Sequence, residues 1–366
     1  MTAVTEARKI TVLVVDDSAF MRQILRRELG RDPHLEVVGA ARDGLEALAL
    51  VEKLRPDIVT MDVEMPNLNG LAALRDIMSR FPRPVVMLSS LTQEGSLTTL
   101  KALELGAVDF VGKPSGAVAL DFHKVRDELV EKLKAVARSV NVEALTRPVR
   151  AHGATRAPVA TSAGKDAARR SVLATRTGGA VIIGSSTGGP RALTEVIPRL
   201  PSDFPLPLLV VQHMPAGFTR SLAERLDSLS RIAVREARDG DLLQPGLALV
   251  APGGLHAEVG ADMRVRLNEK PPVHGVRPSV DVSLISAGPL FGRHTVAVVL
   301  TGMGADGTEG AKLIHEQGGR VIAEHQSTCV VYGMPRSVVE AGVADAVVAL
   351  PKIAEEIVAQ VAAVVN

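Results

Sequence analysis

The sequence predicts an α/β protein of two doubly wound domains, each a parallel sheet covered by helices. Three observations carry that expectation. From Ile10 to about Val136, strand and helix patterns alternate five times. From Ala137 to Thr177 the apolar periodicity lapses. From Gly178 onward short β-branched runs and amphipathic helices resume. A chain of 366 residues with 46% hydrophobic content is long enough for two cores.

In the first domain, strands are expected at Ile10–Val15, Leu35–Ala40, Asp57–Met61, Pro84–Leu88 and Val108–Val111. Helical periodicity lies between them, as in Ala19–Leu29, Leu45–Leu54 and Leu71–Arg80. Repeats of this length require crossovers, so the sheet is parallel, a (βα)5 unit of flavodoxin type. This sets a first domain over residues 1–136. Residues 137–177 are rich in Ala, Arg, Thr, Pro and Gly, as in Arg147-Pro148-Val149-Arg150, and read as a flexible linker. Residues 178–366 form the second domain, of Rossmann-like type. Its strands are expected at Ala180–Gly184, Leu208–Gln212, Leu247–Val250, Thr295–Leu300 and near Arg320–Ala323, with a helix over Arg191–Leu200.

Composition excludes several classes of function. A net charge of +1 gives no bulk attraction to nucleic acid or membrane, and 2% aromatics supply no stacking platform for single strands. No run approaches the roughly 20 apolar residues of a membrane span, and Met1–Lys9 lacks an apolar signal core. The single cysteine, Cys329, cannot form an internal disulfide and fits a reducing cytosol. A cytoplasmic monomer is expected, with no nucleic acid bound and no membrane insertion.

Polar residues of the first domain gather at strand ends. Asp16 and Asp17 follow the first strand, Asp62 the third, Ser89 the fourth and Lys113 the fifth. Open α/β sheets build their ligand crevice there. Carboxylates converging on one crevice repel unless a hard dication such as Mg²⁺ intervenes. A carboxylate beside that dication and a lysine can attack a phosphoryl group. Any one of these residues alone reads as a cap or turn.

The second domain opens on Val181-Ile-Ile-Gly184-Ser185-Ser186-Thr187-Gly188-Gly189-Pro190. A buried strand runs into Gly-x-Ser-x-Gly and then a helix start, which lifts the Ser186 hydroxyl off a sheet edge beside helix N–H groups. The same pattern can cradle a phosphate, but the spacing is not G-x-G-x-x-G and no Gly-Lys-Ser/Thr follows. A serine nucleophile needs a histidine base and an orienting carboxylate. His213, directly after the strand Leu208–Gln212, is best placed; His256 is the nearest rival, and His274 and His325 lie in loops. Asp306, in the glycine-rich stretch after the strand at Val296–Leu300, could orient the base; Asp281 and Asp239 are alternatives. Cys329 is flanked by apolar residues and reads as core filling. The chain has no His-Glu-x-x-His and no zinc-ligand spacing among its histidines, which disfavours a metallohydrolase.

Residues 10 to about 130 resemble a response-regulator receiver domain, through Asp16-Asp17, Met61-Asp-Val-Glu-Met-Pro66, Ser89, and Phe110 three positions before Lys113. The resemblance implies that Asp62 takes phosphate from a CheA-type histidine kinase. Asp16 or Asp17 would hold Mg²⁺ with Asp62, Ser89 and Lys113 would contact the phosphoryl oxygens, and Phe110 would be a switch that turns inward on phosphorylation. Ser89 stands where family members often carry Thr, and Phe110 where they carry Tyr or Phe.

The second domain resembles the CheB family of chemotaxis protein-glutamate methylesterases. The matching motifs are Ile183-Gly-Ser-Ser-Thr-Gly-Gly-Pro190, Gln212-His-Met-Pro215, Arg277-Pro-Ser-Val-Asp281, Leu300-Thr-Gly-Met-Gly-Ala-Asp-Gly307 and Tyr332-Gly-Met-Pro-Arg336. The resemblance implies a triad of Ser186, His213 and Asp306, with backbone N–H groups at Thr187 and Met303 stabilising the oxyanion. It implies γ-methyl esters of chemoreceptor glutamates as substrate, deamidation of receptor glutamines beside it, and no cofactor for hydrolysis. It also implies that the unphosphorylated receiver covers the active site. A receiver-linked DNA-binding regulator, or a non-catalytic scaffold that binds a nucleotide through the glycine loops, is the competing class. Nothing after the linker reads as a compact basic helix-turn-helix.

Overall fold

The computed structural model describes residues 8–89, 93–113, 118–146 and 178–365. The chain divides into two compact units, Met1–Arg147 and Pro148–Asn366.

The first unit is built on β1 (Ile10–Val15), β2 (Leu35–Ala41), β3 (Ile58–Asp62), β4 (Val85–Ser89) and β5 (Asp109–Gly112). They form one parallel sheet in the order β2-β1-β3-β4-β5. The central strands are near-continuous apolar runs, as expected of strands covered on both faces; Val12 to Val15 are fully buried. Helices α1 (Ala19–Leu29), α2 (Gly44–Leu54), α3 (Gly70–Arg80), α4 (Gln93–Glu104) and α5 (Val118–Ser139) alternate with the strands. Three of them start on a side-chain cap: Ser18, Asp43 and Asn69 accept from the N–H three residues on. Each such cap contributes about 1 kcal/mol. Chain order reverses at β1, which pairs with both β2 and β3, so the crevice of this unit opens beyond Val15 and Asp62.

Asp57, expected as the first residue of the third strand, lies just outside it. Its carboxylate accepts from the N–H and hydroxyl of Thr11 instead, clipping β3 to β1. The composition change at 137 does not end the helical structure. α5 runs to Ser139, and a short α6 (Val142–Thr146) follows with Leu145 buried. The rest of the expected linker, 147–177, lies outside the described residues.

The second unit carries a seven-stranded parallel sheet, larger than the five strands expected. Its strands are β6 (Ala180–Ser185), β7 (Leu208–Gln212), β8 (Ala233–Glu236), β9 (Leu247–Val250), β12 (Thr295–Val299), β13 (Arg320–Glu324) and β14 (Ala346–Val348). Their order is β14-β13-β12-β6-β7-β9-β8. An antiparallel hairpin, β10 (His256–Val259) and β11 (Val265–Asn268), stands apart. The unpredicted β8 and β14 are the two edges. Edge strands are short and half exposed, so they lack the apolar run that marks a central strand.

Around the sheet lie α7 (Gly189–Val196), α8 (Phe218–Leu229), α9 (Val280–Phe291), α10 (Thr308–Glu316), α11 (Met334–Glu340) and α12 (Leu350–Val365). The helix expected over Arg191–Leu200 ends early as α helix. A 3₁₀ turn, Ile197–Arg199, takes over where Pro198 has no N–H to give. Chain order reverses between β6 and β12, and the ligand crevice of a doubly wound sheet lies at such a reversal. Among the described residues no helix is long and apolar enough to cross a membrane.

Candidate active site

β6 and β7 pair in parallel with Ser185 opposite Gln212, so Ser186 and His213 leave the sheet side by side. The His213 N–H donates to the Ser185 carbonyl at 3.1 Å. The turn after Ser186 is tight: Gly189 N–H donates back to the Ser186 carbonyl at 2.7 Å, and Gly188 sits at φ +81°. A Cβ on Gly188 would meet Val330 at 2.6 Å, and one on Gly189 would meet Gln212 Oε1 at 2.0 Å. Glycine is therefore required at both positions. Gln212 braces the turn from below. Its oxygen accepts from Ser185 Oγ at 2.7 Å, and its Nε2 donates to the carbonyls of Ser186 (2.9 Å) and His213 (3.1 Å).

On the other side of β6, the chain leaving β12 wraps the same turn. Ser186 N–H donates to the Thr301 carbonyl at 3.0 Å, and Gly302 lies against Ser186 so closely that a Cβ there would meet Ser186 Cβ at 2.8 Å. That loop delivers Asp306, whose Oδ2 stands 2.8 Å from His213 Nε2. Four further donors converge on the same carboxylate: Ser279 Oγ (2.8 Å), and the backbone N–H groups of Val280 (2.7 Å), Asp281 (3.0 Å) and Gly307 (3.1 Å). Three of the four come from the cap and first turn of α9, whose dipole also favours an anion. Burial opposes ionisation of Asp306, but the His213 partner and the α9 amides outweigh it and hold the carboxyl at about 2. A carboxylate fixed at Nε2 assigns the imidazole proton to that nitrogen. Nδ1 keeps its lone pair for a proton acceptor's role.

The rival residues have other tasks. His256 is fully buried, and its Nε2 binds the Pro271 carbonyl at 3.1 Å. His274 forms a second pair with Asp281 at 3.0 Å, while Asp281 Oδ1 accepts from Gly310 N–H. Burial raises the Asp281 carboxyl, and Asp306 adds like-charge repulsion. His274, Asp281 and Asp306 have ligand atoms within 4.8 Å of one another, although both Asp306 oxygens already accept several hydrogen bonds. His325 turns to Ser327, and Asp239 holds Leu267 N–H in the hairpin. Cys329 is buried, and burial followed by the nearby Glu324 pushes its thiol far up, so it is a poor nucleophile.

The first unit brings its acidic set together as well. Lys113 Nζ lies 2.8 Å from Asp16 Oδ2 and 2.7 Å from Asp62 Oδ2. Asp16, Asp17 and Asp62 offer ligand oxygens within 4.8 Å of one another. Burial raises the Asp62 carboxyl, Lys113 pulls it down and Asp16 repels it, leaving it at about 6. One ammonium paired with two of three neighbouring carboxylates leaves excess negative charge, which suits a hard divalent cation with oxygen ligands. Ser89, buried at the end of β4, donates to the Gly95 carbonyl at 3.3 Å and accepts from Thr99 Oγ1 at 2.6 Å. Gly70 is required beneath the site, since a Cβ there would meet the Asp62 carbonyl oxygen at 2.0 Å. Phe110, expected as a switch residue, points inward, 2% exposed, with Lys132 Nζ 5.5 Å from its ring centre.

The CheB methylesterase family matches residues 181–357, and the response regulator receiver domain matches residues 12–122. A protein-glutamate methylesterase/protein-glutamine glutaminase of Symbiobacterium thermophilum is 53% identical over 364 residues, covering 96% of this chain and 96% of the relative. The chain belongs to the CheB methylesterase family. A second relative of the same description, from Pyrococcus horikoshii, is 48% identical, with 96% of this chain and 93% of the relative covered. The crystal structure of the Thermotoga maritima CheB methylesterase catalytic domain is 50% identical, with a TM-score of 0.49, and covers 50% of this chain and 98% of that one.

Within this CheB-family chain, sequence reasoning passed over Ser279, the bracing role of Gln212, and the Thr301–Glu324 contact behind the Ser186 turn (2.8 Å). Ser279 had a legible signal: a serine directly before an apolar helical run is an N-cap. The others arise from contacts between strands far apart in sequence.

Proposed function

We propose that this CheB-family chain hydrolyses γ-methyl esters of glutamates on chemoreceptors and deamidates receptor glutamines, under control of phosphorylation at Asp62. The observation that carries the reading is the His213–Asp306 pair at 2.8 Å, set at the strand ends beside the Ser186 turn. Ser186 Oγ attacks the side-chain carbonyl and gives its proton to His213 Nδ1. Asp306 holds the ring by Nε2 and stabilises the imidazolium. Backbone N–H groups at Thr187 and Met303 receive the oxyanion, each worth about 3 kcal/mol in comparable sites. His213 then protonates the leaving group, methanol from an ester or ammonia from an amide. Water, deprotonated by the same nitrogen, attacks the acyl-enzyme and frees glutamate and Ser186.

In the receiver, Asp16, Asp17 and Asp62 would hold Mg²⁺, which when bound offsets charge gathering on a phosphoryl group. Asp62 is the acceptor from a CheA-type histidine kinase, and Lys113 and Ser89 contact the phosphoryl oxygens. The receiver spans residues 1–136 and the catalytic domain 178–366, joined by 137–177. The chain works as a cytoplasmic monomer. The test is methanol release from methylated receptor membranes by the full chain and by Ser186→Ala, which removes one hydroxyl. Loss of at least about 10⁴ in kcat is expected; near-normal release by a folded variant defeats the serine mechanism.

A further inference from the structure

β13 runs Arg-Val-Ile-Ala-Glu, and its last residue, Glu324, is buried as completely as the Val321, Ile322 and Ala323 before it. A buried carboxyl normally has a cation or a full set of donors. Among the described residues Glu324 has neither. Oε2 accepts from the Thr301 N–H at 2.8 Å, and Oε1 has no hydrogen-bond partner. The groups that face it are the Thr328 hydroxyl and the Cys329 thiol from the following loop, and Glu195 from α7. β14 lays Val348 beside it. Glu195 is itself buried and answers to Arg199 at 3.1 Å, so it brings Glu324 repulsion rather than a partner.

Thr301 is the residue that grips the nucleophile turn. Its carbonyl accepts from Ser186 N–H, its Oγ1 donates to the Thr187 carbonyl at 3.0 Å, and the same Oγ1 accepts from Val331 N–H at 3.0 Å. Thr301 therefore ties three chain segments together, and Glu324 is what its own N–H rests on.

Given the esterase reading above, we infer that Glu324 is a positioning residue of that site: as an uncharged acid it fixes Thr301, and through Thr301 the turn bearing Ser186. The burial that disfavours its charge outweighs the hydrogen bond from Thr301 and the nearby Thr328 hydroxyl, and with Glu195 adding repulsion the carboxyl is pushed up to about 7. Above that pH a charge with no counter-ion is buried beside the Thr301 segment, and although its bond from Thr301 strengthens, the packing that holds the segment is destabilised.

The experiment measures kcat and KM of the full chain on methylated receptor membranes from pH 6 to 9, for wild type, Glu324→Gln and Glu324→Ala. Wild-type kcat should fall about threefold or more on the alkaline side, with KM steady. Glu324→Gln keeps an acceptor for Thr301 without a charge, so it should hold its kcat through pH 9. Glu324→Ala leaves the Thr301 N–H without an acceptor and should lose about tenfold in kcat at every pH, KM staying within about twofold. An alkaline fall unchanged in Glu324→Gln overturns the inference, as does a folded Glu324→Ala with wild-type kcat. Should Glu324→Ala not fold, the Glu324→Gln profile decides alone. A second readout does not depend on catalysis. The raised carboxyl makes stability decline as pH climbs from its ordinary 4.5 through about 7. The urea midpoint of wild type should therefore drop relative to Glu324→Gln between pH 5 and 8; parallel midpoints overturn the uncharged acid. A fully active Ser186→Ala defeats the serine mechanism on which the positioning role rests instead, and the urea comparison tells the two failures apart.

Discussion

Asp306→Asn exchanges one oxygen for an NH₂ group in a place where five donors converge. The amide can be placed in two ways. With nitrogen at the Oδ1 position, the Asp281 and Gly307 N–H groups both lose their acceptor, and Ser279 must rotate its hydroxyl. With nitrogen at the Oδ2 position, only Val280 N–H is orphaned among backbone groups, but the amide then points a hydrogen at His213 Nε2. The second arrangement leaves fewer buried donors unpaired and prevails. It forces the imidazole proton onto Nδ1, the nitrogen that must accept from Ser186. The wrong tautomer costs about 10⁴ in kcat in comparable triads, or about 5 kcal/mol of transition-state stabilisation. The orphaned Val280 N–H adds about 1–3 kcal/mol of lost stability. The assay is methanol release by the full chain, with circular dichroism and urea unfolding to confirm the fold. A folded Asp306→Asn within tenfold of wild-type kcat would refute the tautomer argument and return the base to another histidine.

Acid should destabilise the second unit through the same residue. Its carboxyl lies at about 2 against an ordinary 3.8, so ionised Asp306 contributes about 2 kcal/mol above pH 4, lost as pH falls through 3.8 toward 2. The urea midpoint should accordingly fall less between pH 5 and 3 in Asp306→Asn than in wild type; equal falls count against it. Chelator should abolish stimulation of the full chain by a small phosphodonor and spare its basal hydrolysis, and Asp62→Asn should abolish the stimulation alone. Loss of basal hydrolysis in chelator would revive a metal-dependent mechanism. Gly189→Ala drives a methyl into Gln212 Oε1 at 2.0 Å and should lower kcat at least about tenfold, with about 1–3 kcal/mol of lost stability. An unchanged kcat would show that Gln212 does not brace the turn.

Sites at the ends of central strands were legible, because a buried parallel strand announces itself by an apolar run and the residue after it must lie at the crevice. Ser186, His213, Asp62, Ser89 and Lys113 were all placed in that way, and their strands lie within one residue of where the pattern put them, so that Asp62 and Ser89 close their strands. The edge strands β8 and β14 gave no such run. Past residue 136, α5 and α6 continue as helix although the composition there begins to read as a linker. Glu324 shows a different limit. A glutamate closing a strand reads as a solvated end, and only the neighbouring strand, the Thr301 segment and α7 make it a buried acid.

The two crevices handle buried negative charge in opposite ways, and this bears on which of them can be a switch. Asp306 receives a full set of donors from the chain itself: a histidine, a capping serine and three backbone amides. Its charge is held in one state across neutral pH, as an orienting group requires, because an orienter that titrated would take the base with it. Asp16 and Asp62 share one lysine with Asp17 close by, and Asp62 keeps a carboxyl raised to about 6. That pocket carries more negative charge than the lysine offsets, so its energetics would respond to a cation or a phosphoryl group delivered to it. A preorganised site performs the same reaction whenever substrate is present. An under-compensated site changes state when its missing charge is delivered. On the proposed reading, the sensitivity of this chain to a signal therefore resides in the receiver, and the groups that break the ester reside in the second sheet, held in one charge state whatever the signal.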